Sequence, residues 1–90
     1  MMFSVAPHIS WSNVEGELVL FDDRNQSYAS LNSSASDIWR GLAKGMSVDA
    51  LADELAAATD ADRSLVGEHV SAFVEDAVAK GLLVQAPDRP

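Results

Sequence analysis

The change from strand to helix in this chain lies within residues 26–42, which read QSYASLNSSASDIWRGL. Residues 26–31 alternate between two faces, with Tyr28 and Ser30 on one of them, and this two-residue period is typical of a strand. Further along, apolar residues recur at the i, i+3, i+4, i+7 spacing of one buried helical stripe: Ala35, Ile38, Trp39 and Leu42. We therefore expect a helix that begins at an N-cap among residues 32–34 (Asn32, Ser33 and Ser34).

Two further strands are predicted before this stretch. Ile9 and Trp11 alternate with polar residues and indicate a half-buried strand of about five residues. Residues 17–21 form a second, mostly apolar strand, and residues 13–16 and 22–25 have the composition of turns. Together with residues 26–31, they predict a three-stranded antiparallel meander.

Two more helices are predicted after the first. Gly45 ends the first helix, Ser47 caps the second, and either Asp60 or Asp62 caps the third. Gly81 stops the third helix, and residues 82–84 are expected to fold back onto the core. Three strands followed by three helices predict an α+β fold that resembles a winged helix-turn-helix.

Length and composition limit the classes of function. The 90 residues predict one domain over 1–90, with an ordered core of about 7–84 and a short polar tail at 85–90. The hydrophobic fraction is 48%, and the net charge is −8, which disfavours nucleic acid and anionic membrane surfaces as partners. The sequence has neither a signal-peptide pattern nor an apolar run long enough for a membrane span, so we expect a cytoplasmic protein.

The sequence carries no recognisable catalytic or metal-binding motif. It has no cysteine, and its two histidines, His8 and His69, lie 61 positions apart. No serine-nucleophile elbow and no glycine-rich phosphate loop is present. Eight acidic residues and one base, Arg63, lie between Asp49 and Asp76, so the predicted second and third helices are unsuited to DNA phosphates. We expect no catalytic residue, no metal site and no cofactor.

The third predicted strand has an unprotected edge. In a simple meander its outer side has no sequence neighbour, and residues 26–31 contain none of the lysines or prolines that usually protect such an edge. Either a helix or the C-terminal tail covers this edge, or an extended peptide adds to it as a further strand.

The chain resembles a known family in several short motifs. These are Leu20-Phe21-Asp22, Tyr28-Ala29-Ser30-Leu31-Asn32, Ala35-Ser36-Asp37-Ile38-Trp39 and Gly45-Met46-Ser47, with Phe73, Ala77 and Gly81-Leu82-Leu83 near the end. In this order they resemble PqqD-like proteins, the recognition elements (RREs) for ribosomally synthesised and post-translationally modified peptides (RiPPs). The resemblance spans roughly residues 9–84.

The resemblance implies a non-catalytic domain that binds the leader segment of a precursor peptide and presents it to a modifying enzyme or a leader peptidase. The leader would add to the third predicted strand and lie against the third helix. Carried onto this chain, the peptide-binding residues are Ser27, Tyr28, Ala29, Ser30 and Leu31 on the strand and Val66, His69, Val70 and Phe73 on the helix. The division of these helix residues between groove and core stays open.

The subtype is indicated by residues 22–25, Asp-Asp-Arg-Asn, and by the presence of Tyr28 and Trp39. Proteins of the pyrroloquinoline quinone pathway tend to have a Pro-Glu-Gly turn and to lack the tyrosine. The chain is therefore more similar to the stand-alone recognition proteins of lasso-peptide clusters, whose partner is a cysteine-protease-like leader peptidase.

Three alternatives remain at this point. The first is a PqqD-type peptide chaperone that delivers a precursor to a radical SAM enzyme. The second is an acidic winged-helix adaptor that binds another protein. The third is a small subunit of an enzyme.

Overall fold

The computed structural model describes residues 2–86. It contains five strands and three helices. In chain order they are β1 (Met2–Val5), β2 (Ile9–Val14), β3 (Glu17–Asp22), β4 (Ser27–Leu31), α1 (Ser33–Ala43), α2 (Val48–Thr59), α3 (Arg63–Ala79) and β5 (Leu83–Ala86). The predicted α+β class is confirmed, as is the three-stranded antiparallel sheet followed by three helices, in an arrangement that resembles a winged helix-turn-helix.

The three predicted strands are β2, β3 and β4, and they form one antiparallel sheet in the order β2-β3-β4. Glu15 and Gly16 alone connect β2 to β3, and both have positive φ, 53° and 87°. This is the backbone of a tight hairpin turn whose handedness matches the strand twist. The turn fixes the register, in which Val14 faces Glu17 and Ile9 faces Asp22.

A second sheet, formed by β1 and β5, was not predicted. The two strands pair antiparallel, with Met2 opposite Ala86 and Val5 opposite Leu83. Ordered structure therefore extends beyond the predicted core of about 7–84. Residues 85 and 86 of the predicted polar tail belong to β5, and residues 87–90 lie outside the described residues. The expected return of residues 82–84 to the core is correct for Leu82, which packs against the core, and for Leu83, which is buried, but wrong for Val84, which is 43% exposed.

Side-chain caps begin each helix. The Asn32 side chain accepts a hydrogen bond from the N–H of Ala35, and Ser47 does the same for Ala50. Of the two candidates for α3, Asp62 is the N-cap, whereas Asp60 ends α2 in the left-handed conformation at φ 55°.

The core lies between the inner face of the β2-β3-β4 sheet and the three helices. Trp39 is fully buried, as predicted, and the ring of the partly exposed Trp11 meets it edge-on at 5.7 Å between ring centroids. At Gly41, α1 comes so close to α2 that a Cβ atom would clash with the Leu51 side chain. Within residues 2–86, no helix has the length and apolar composition that are needed to cross a membrane.

Candidate functional site

The outer edge of β4 is unpaired. β4 is the last strand of its sheet, and no other strand within residues 2–86 pairs with its outer side. The strand carries no lysine, proline or bulge, and its register with β3 is regular from Ser27 to Leu31. Such an edge offers a free row of main-chain donors and acceptors.

The main-chain groups that face this free edge follow from the hydrogen bonds at the end of β4. The Ser36 hydroxyl lies between β3 and β4, because it accepts from the N–H of Leu18 at 2.9 Å and donates to the C=O of Leu31 at 3.2 Å. Leu31 therefore directs its main chain toward β3. Since the direction alternates along a strand, Tyr28 and Ser30 direct their N–H and C=O groups outward.

Sequence reasoning did not single out Ser36. Its side chain is fully buried on the inner side of α1, and its hydroxyl bridges the main chains of β3 and β4 at the end of the sheet. A serine within an amphipathic pattern resembles a solvent-facing residue. The available signals were its place in the motif Ala35-Ser36-Asp37-Ile38-Trp39 and its position three residues before the buried Trp39, on the same side of α1.

A groove separates β4 from α3. β4 packs against β3 and α1, whereas α3 packs against α2, β5 and α1. One cavity lies beside the start of β4 and is lined by residues of that strand, and a second lies beyond its Leu31 end, where the three helices line it. The cavity beside the start of β4 has a volume of about 170 Å³ and is lined by Leu20, Asp22, Asn25, Ser27, Tyr28, Ala29, Lys80 and Leu82.

The second cavity lies beyond the other end of β4. Its volume is about 280 Å³, and most of its surface is apolar. The start of α1, the end of α2 and the first half of α3 line it, with the residues Ser34, Asp37, Ile38, Leu55, Thr59, Ala61, Val66, His69 and Val70. α3 therefore runs from the Leu31 end of β4 back toward the Ser27 end.

The structure divides the predicted residues of α3 between groove and core. Val66 is half-buried and His69 is exposed, and both line the apolar cavity. Val70 has an exposed fraction of 0%, so it belongs to the core and forms only the floor of the cavity. Phe73 is half-buried and packs against the core, and it lines neither cavity.

The predicted residues of β4 lie on two faces. Ser27, Ala29 and Leu31 pair with residues of the inner face of β3, which is buried against the helices. Tyr28 and Ser30 lie on the outer face, where the Tyr28 ring contacts Phe21 with 4.9 Å between ring centroids. The nine predicted residues therefore do not form one surface, because the groove and the outer face share only the edge of β4.

A buried carboxylate fixes the turn that leads into β4. Asp22 has an exposed fraction of 6% and accepts hydrogen bonds from the N–H groups of Arg24 and Asn25 and from the side-chain amide of Asn25. Burial alone would raise the pKa of Asp22. The hydrogen bonds, together with His8 at 3.9 Å, outweigh burial and hold this pKa below its ordinary value.

A larger cleft of about 610 Å³ lies elsewhere, between α2 and α3, and no residue of β4 lines it. Its walls carry Asp49, Glu68, Glu75 and Arg63, and Arg63 is paired with Asp53. Across the part of the chain that the structure describes, no group of three or more His, Asp or Glu side chains is placed to hold a metal ion.

Residues 17–83, from the start of β3 to the start of β5, match the model of the family described as coenzyme PQQ synthesis protein D (PqqD). The chain belongs to the PqqD family. The match includes β4, α3 and both cavities of the groove. No curated protein matches the chain significantly.

Two solved structures have the same fold as this PqqD-family chain. One is TbiB1 in complex with the TbiA(beta) leader peptide, with a TM-score of 0.87 and 24% identity over 94% of this chain and 99% of that chain. The other is a lasso peptide synthetase B1 complexed with the leader peptide, with a TM-score of 0.87 and 26% identity over 94% of this chain and all of that chain.

Proposed function

We propose that this PqqD-family chain binds the leader segment of a lasso-type precursor peptide as an added strand on β4, against α3, and presents it to a leader peptidase. The observation that carries the proposal is the open edge of β4, with Tyr28 and Ser30 directed outward. One cavity is lined by β4 itself, and a second, apolar cavity lies between the helices beyond the Leu31 end of the strand. An added strand satisfies that edge through main-chain hydrogen bonds, and the cavities receive alternate side chains. The solved lasso peptide synthetase B1, which has a leader peptide bound, supports the proposal.

The dimensions of the groove fit a short extended peptide. At about 3.4 Å per residue, the five residues of β4 span roughly 17 Å. The 14-residue rise from Val66 to Lys80 along α3 spans about 21 Å at 1.5 Å per residue, so the two walls are similar in length. A leader segment of about six residues therefore spans the groove. Its inward side chains occupy the two cavities, and the larger, apolar cavity takes the principal hydrophobic anchor.

The proposed role is binding rather than catalysis. The groove contributes main-chain groups, small side chains and apolar walls, which suit the capture of a peptide in one orientation. The chemistry then belongs to the partner enzyme, for which we propose a cysteine-protease-like leader peptidase. A radical SAM enzyme is the second candidate, because the matching family model is that of a coenzyme PQQ synthesis protein.

The direct test is a fluorescence-anisotropy titration of the chain with labelled leader peptides from precursors that are encoded beside its gene. We expect saturable binding by the wild type. Ser30→Pro removes an outward N–H without removing a ladder bond to β3, and we expect it to weaken binding about tenfold or more. The matched control is Asn13→Pro on the opposite edge of the sheet, which we expect to bind like the wild type.

Two results would contradict the proposal. One is the absence of saturation with any such leader at about 1 mM chain, a concentration at which even weak recognition is detected. The other is equal binding by wild type and Ser30→Pro when thermal melts show that both are folded. Mixing the leader complex with each candidate enzyme then decides the partner, because only the true partner should co-elute with it.

A further inference from the structure

The outer face of the β2-β3-β4 sheet carries one aromatic row that ends at the free edge. The register aligns Ser10, Phe21 and Tyr28 across the three strands, so the rings of Phe21 and Tyr28 lie next to each other. Phe21 is half-buried, whereas Tyr28 is 75% exposed, because β4 is the last strand and only one flank of its ring has a neighbour.

The adjacent row on the same face contains no aromatic side chain. It runs from Ser12 through Val19 to Ser30, so its residue at the free edge is small and polar. The two outward-directed residues of β4 therefore present very different side chains to an incoming strand. Beside Tyr28 there is an uncovered aromatic surface, and beside Ser30 there is almost no side-chain surface.

A strand added to β4 would have two residues on this outer face. One pairs with Tyr28 and the other with Ser30, each at a Cα–Cα distance of about 5.5 Å, because both β4 residues direct their main chain outward. The residue between these two faces the groove. Directly opposed side chains of an antiparallel pair contact each other, and aromatic or β-branched residues pair best with an aromatic neighbour.

We propose that Tyr28 is a specificity-determining residue that selects an aromatic or β-branched side chain at the leader position paired with it. The leader is then read on both faces, by the groove on the inner face and by Tyr28 on the outer face, while the position paired with Ser30 is free to vary. This inference rests on the proposed function, since it requires that a peptide adds to β4.

A displayed library of linear 12-residue peptides tests the inference. The library is selected separately on the wild type, Tyr28→Ala, Tyr28→Phe, the edge variant Ser30→Pro and the control Ser12→Ala, which lies on the same outer face but on β2. Ser12, Tyr28 and Ser30 are exposed, and thermal melts establish that each variant is folded as well as the wild type. In the wild type, Tyr28→Phe and Ser12→Ala, we expect enrichment of aromatic or β-branched residues at one position between two groove-facing positions. Tyr28→Ala should lose that preference alone.

Affinities then give the size of the effect. One selected peptide is compared with its alanine variant at the enriched position. We expect the alanine variant to bind the wild type and Tyr28→Phe about threefold to fivefold more weakly, and to bind Tyr28→Ala as well as the parent peptide does.

The outcomes separate the inference from the proposed function. If no variant enriches any peptide, or if Ser30→Pro enriches the same peptides as the wild type, the proposed function is wrong. If peptides are enriched and Ser30→Pro loses them, but Tyr28→Ala keeps the wild-type preference, only the inference is wrong. Loss of preference at every position in a folded Tyr28→Ala variant would also overturn it, because the proposed contact affects one position.

Discussion

The two outer strands of the same sheet, β2 and β4, are tied to α1 by different kinds of side chain. At the end of β4, the buried hydroxyl of Ser36 bonds the main chains of β3 and β4. At the end of β2, the partly exposed guanidinium of Arg40 contacts the Asn13 side chain at 3.5 Å and the C=O of Gly16 at 3.2 Å. The end of β4 is thus fixed from inside the core, and that of β2 from its surface.

The two strands differ further in what lies next to their inner faces. Trp11 of β2 packs against Trp39 of α1, so the inner face of β2 is covered at this point. The cavity beside β2 is lined only by sheet and turn residues, whereas the cavity at the start of β4 includes the α3 C-cap residue Lys80, and the cavity beyond the other end of β4 is lined by helices. Both edges are unpaired within residues 2–86, and both strands are uncharged. An open edge alone therefore does not define a peptide site, and the adjacent groove distinguishes β4.

The largest expected effect is on stability, at the two ties to α1. Ser36→Ala leaves the N–H of Leu18 and the C=O of Leu31 without their buried partner, and we expect it to lower the free energy of unfolding by about 1–3 kcal/mol. Arg40→Ala removes only exposed hydrogen bonds and should cost about 0–1 kcal/mol. Urea unfolding measures both. Equal decreases in the free energy of unfolding for the two variants would show that the ends of β2 and β4 are stabilised to the same extent.

The next effect is on peptide affinity. Val66→Ala enlarges the apolar cavity of the groove, and we expect leader binding to weaken by about 1 kcal/mol, or roughly fivefold, while the melting temperature changes little because Val66 is only half-buried. The matched control is Val14→Ala on β2, where the side chain is half exposed and far along the chain from α3. Anisotropy titrations compare the two. If Val14→Ala weakens binding as much as Val66→Ala, the groove beside β4 is not the site.

A third difference, between the stability of the turn before β4 and that of the β2–β3 turn, is expected only in acidic solution. The folded-state pKa of Asp22 lies below its ordinary value of 3.8, so its contribution to stability is fully present above that pH. The contribution is lost as the pH falls through the folded-state pKa. As the pH falls through the folded-state pKa of Asp22, the protection factors for amide exchange of Arg24 and Asn25 should therefore decrease. The protection factor of Glu17, beside the β2–β3 turn, should stay unchanged. In Asp22→Asn we expect the pH dependence at Arg24 and Asn25 to disappear, and its persistence would implicate another group.

The smallest expected effect is a difference in the free energy of unfolding between substitutions in the β2–β3 turn and in the β3–β4 turn. Glu15 has a φ of 53° in a turn that favours asparagine, so Glu15→Asn should raise the free energy of unfolding by about 0.5 kcal/mol. Gln26 has a similar φ of 54°, but its side-chain amide donates to the C=O of Asp23. Gln26→Asn should gain less because the shorter side chain loses this bond. Thermal melts measure both, and a larger gain at Gln26 would contradict this account.

Much of the fold could be predicted because its signals are local. The alternation within Ser27–Leu31 gives both the strand and its two faces, and Asn32, Ser47 and Asp62 mark the starts of the helices. β1 and β5 could not be predicted in this way. Their pairing joins residues that lie 78 to 84 positions apart, from Val5 with Leu83 to Met2 with Ala86, and neither four-residue strand has a clear period by itself.

The candidate site was predictable only in part. A helical stripe that contains Val66 and Val70 shows that both lie on one side of α3, but it does not show which of them meets the core. That division depends on how α1 and α2 pack against α3, which is a long-range property. The buried role of Ser36 has the same origin, because it depends on Leu18, which lies 18 residues away.

The pairing of β1 with β5 brings the two ends of the described chain side by side, since Met2 lies directly opposite Ala86. A linker of only a few residues could therefore join them, and new ends could be opened at the tight turn of Glu15 and Gly16 without breaking any strand. Such a circular permutant would keep β3, β4 and the helices continuous, so a dye or an affinity tag at its new ends would sit at the β2–β3 hairpin rather than next to β5.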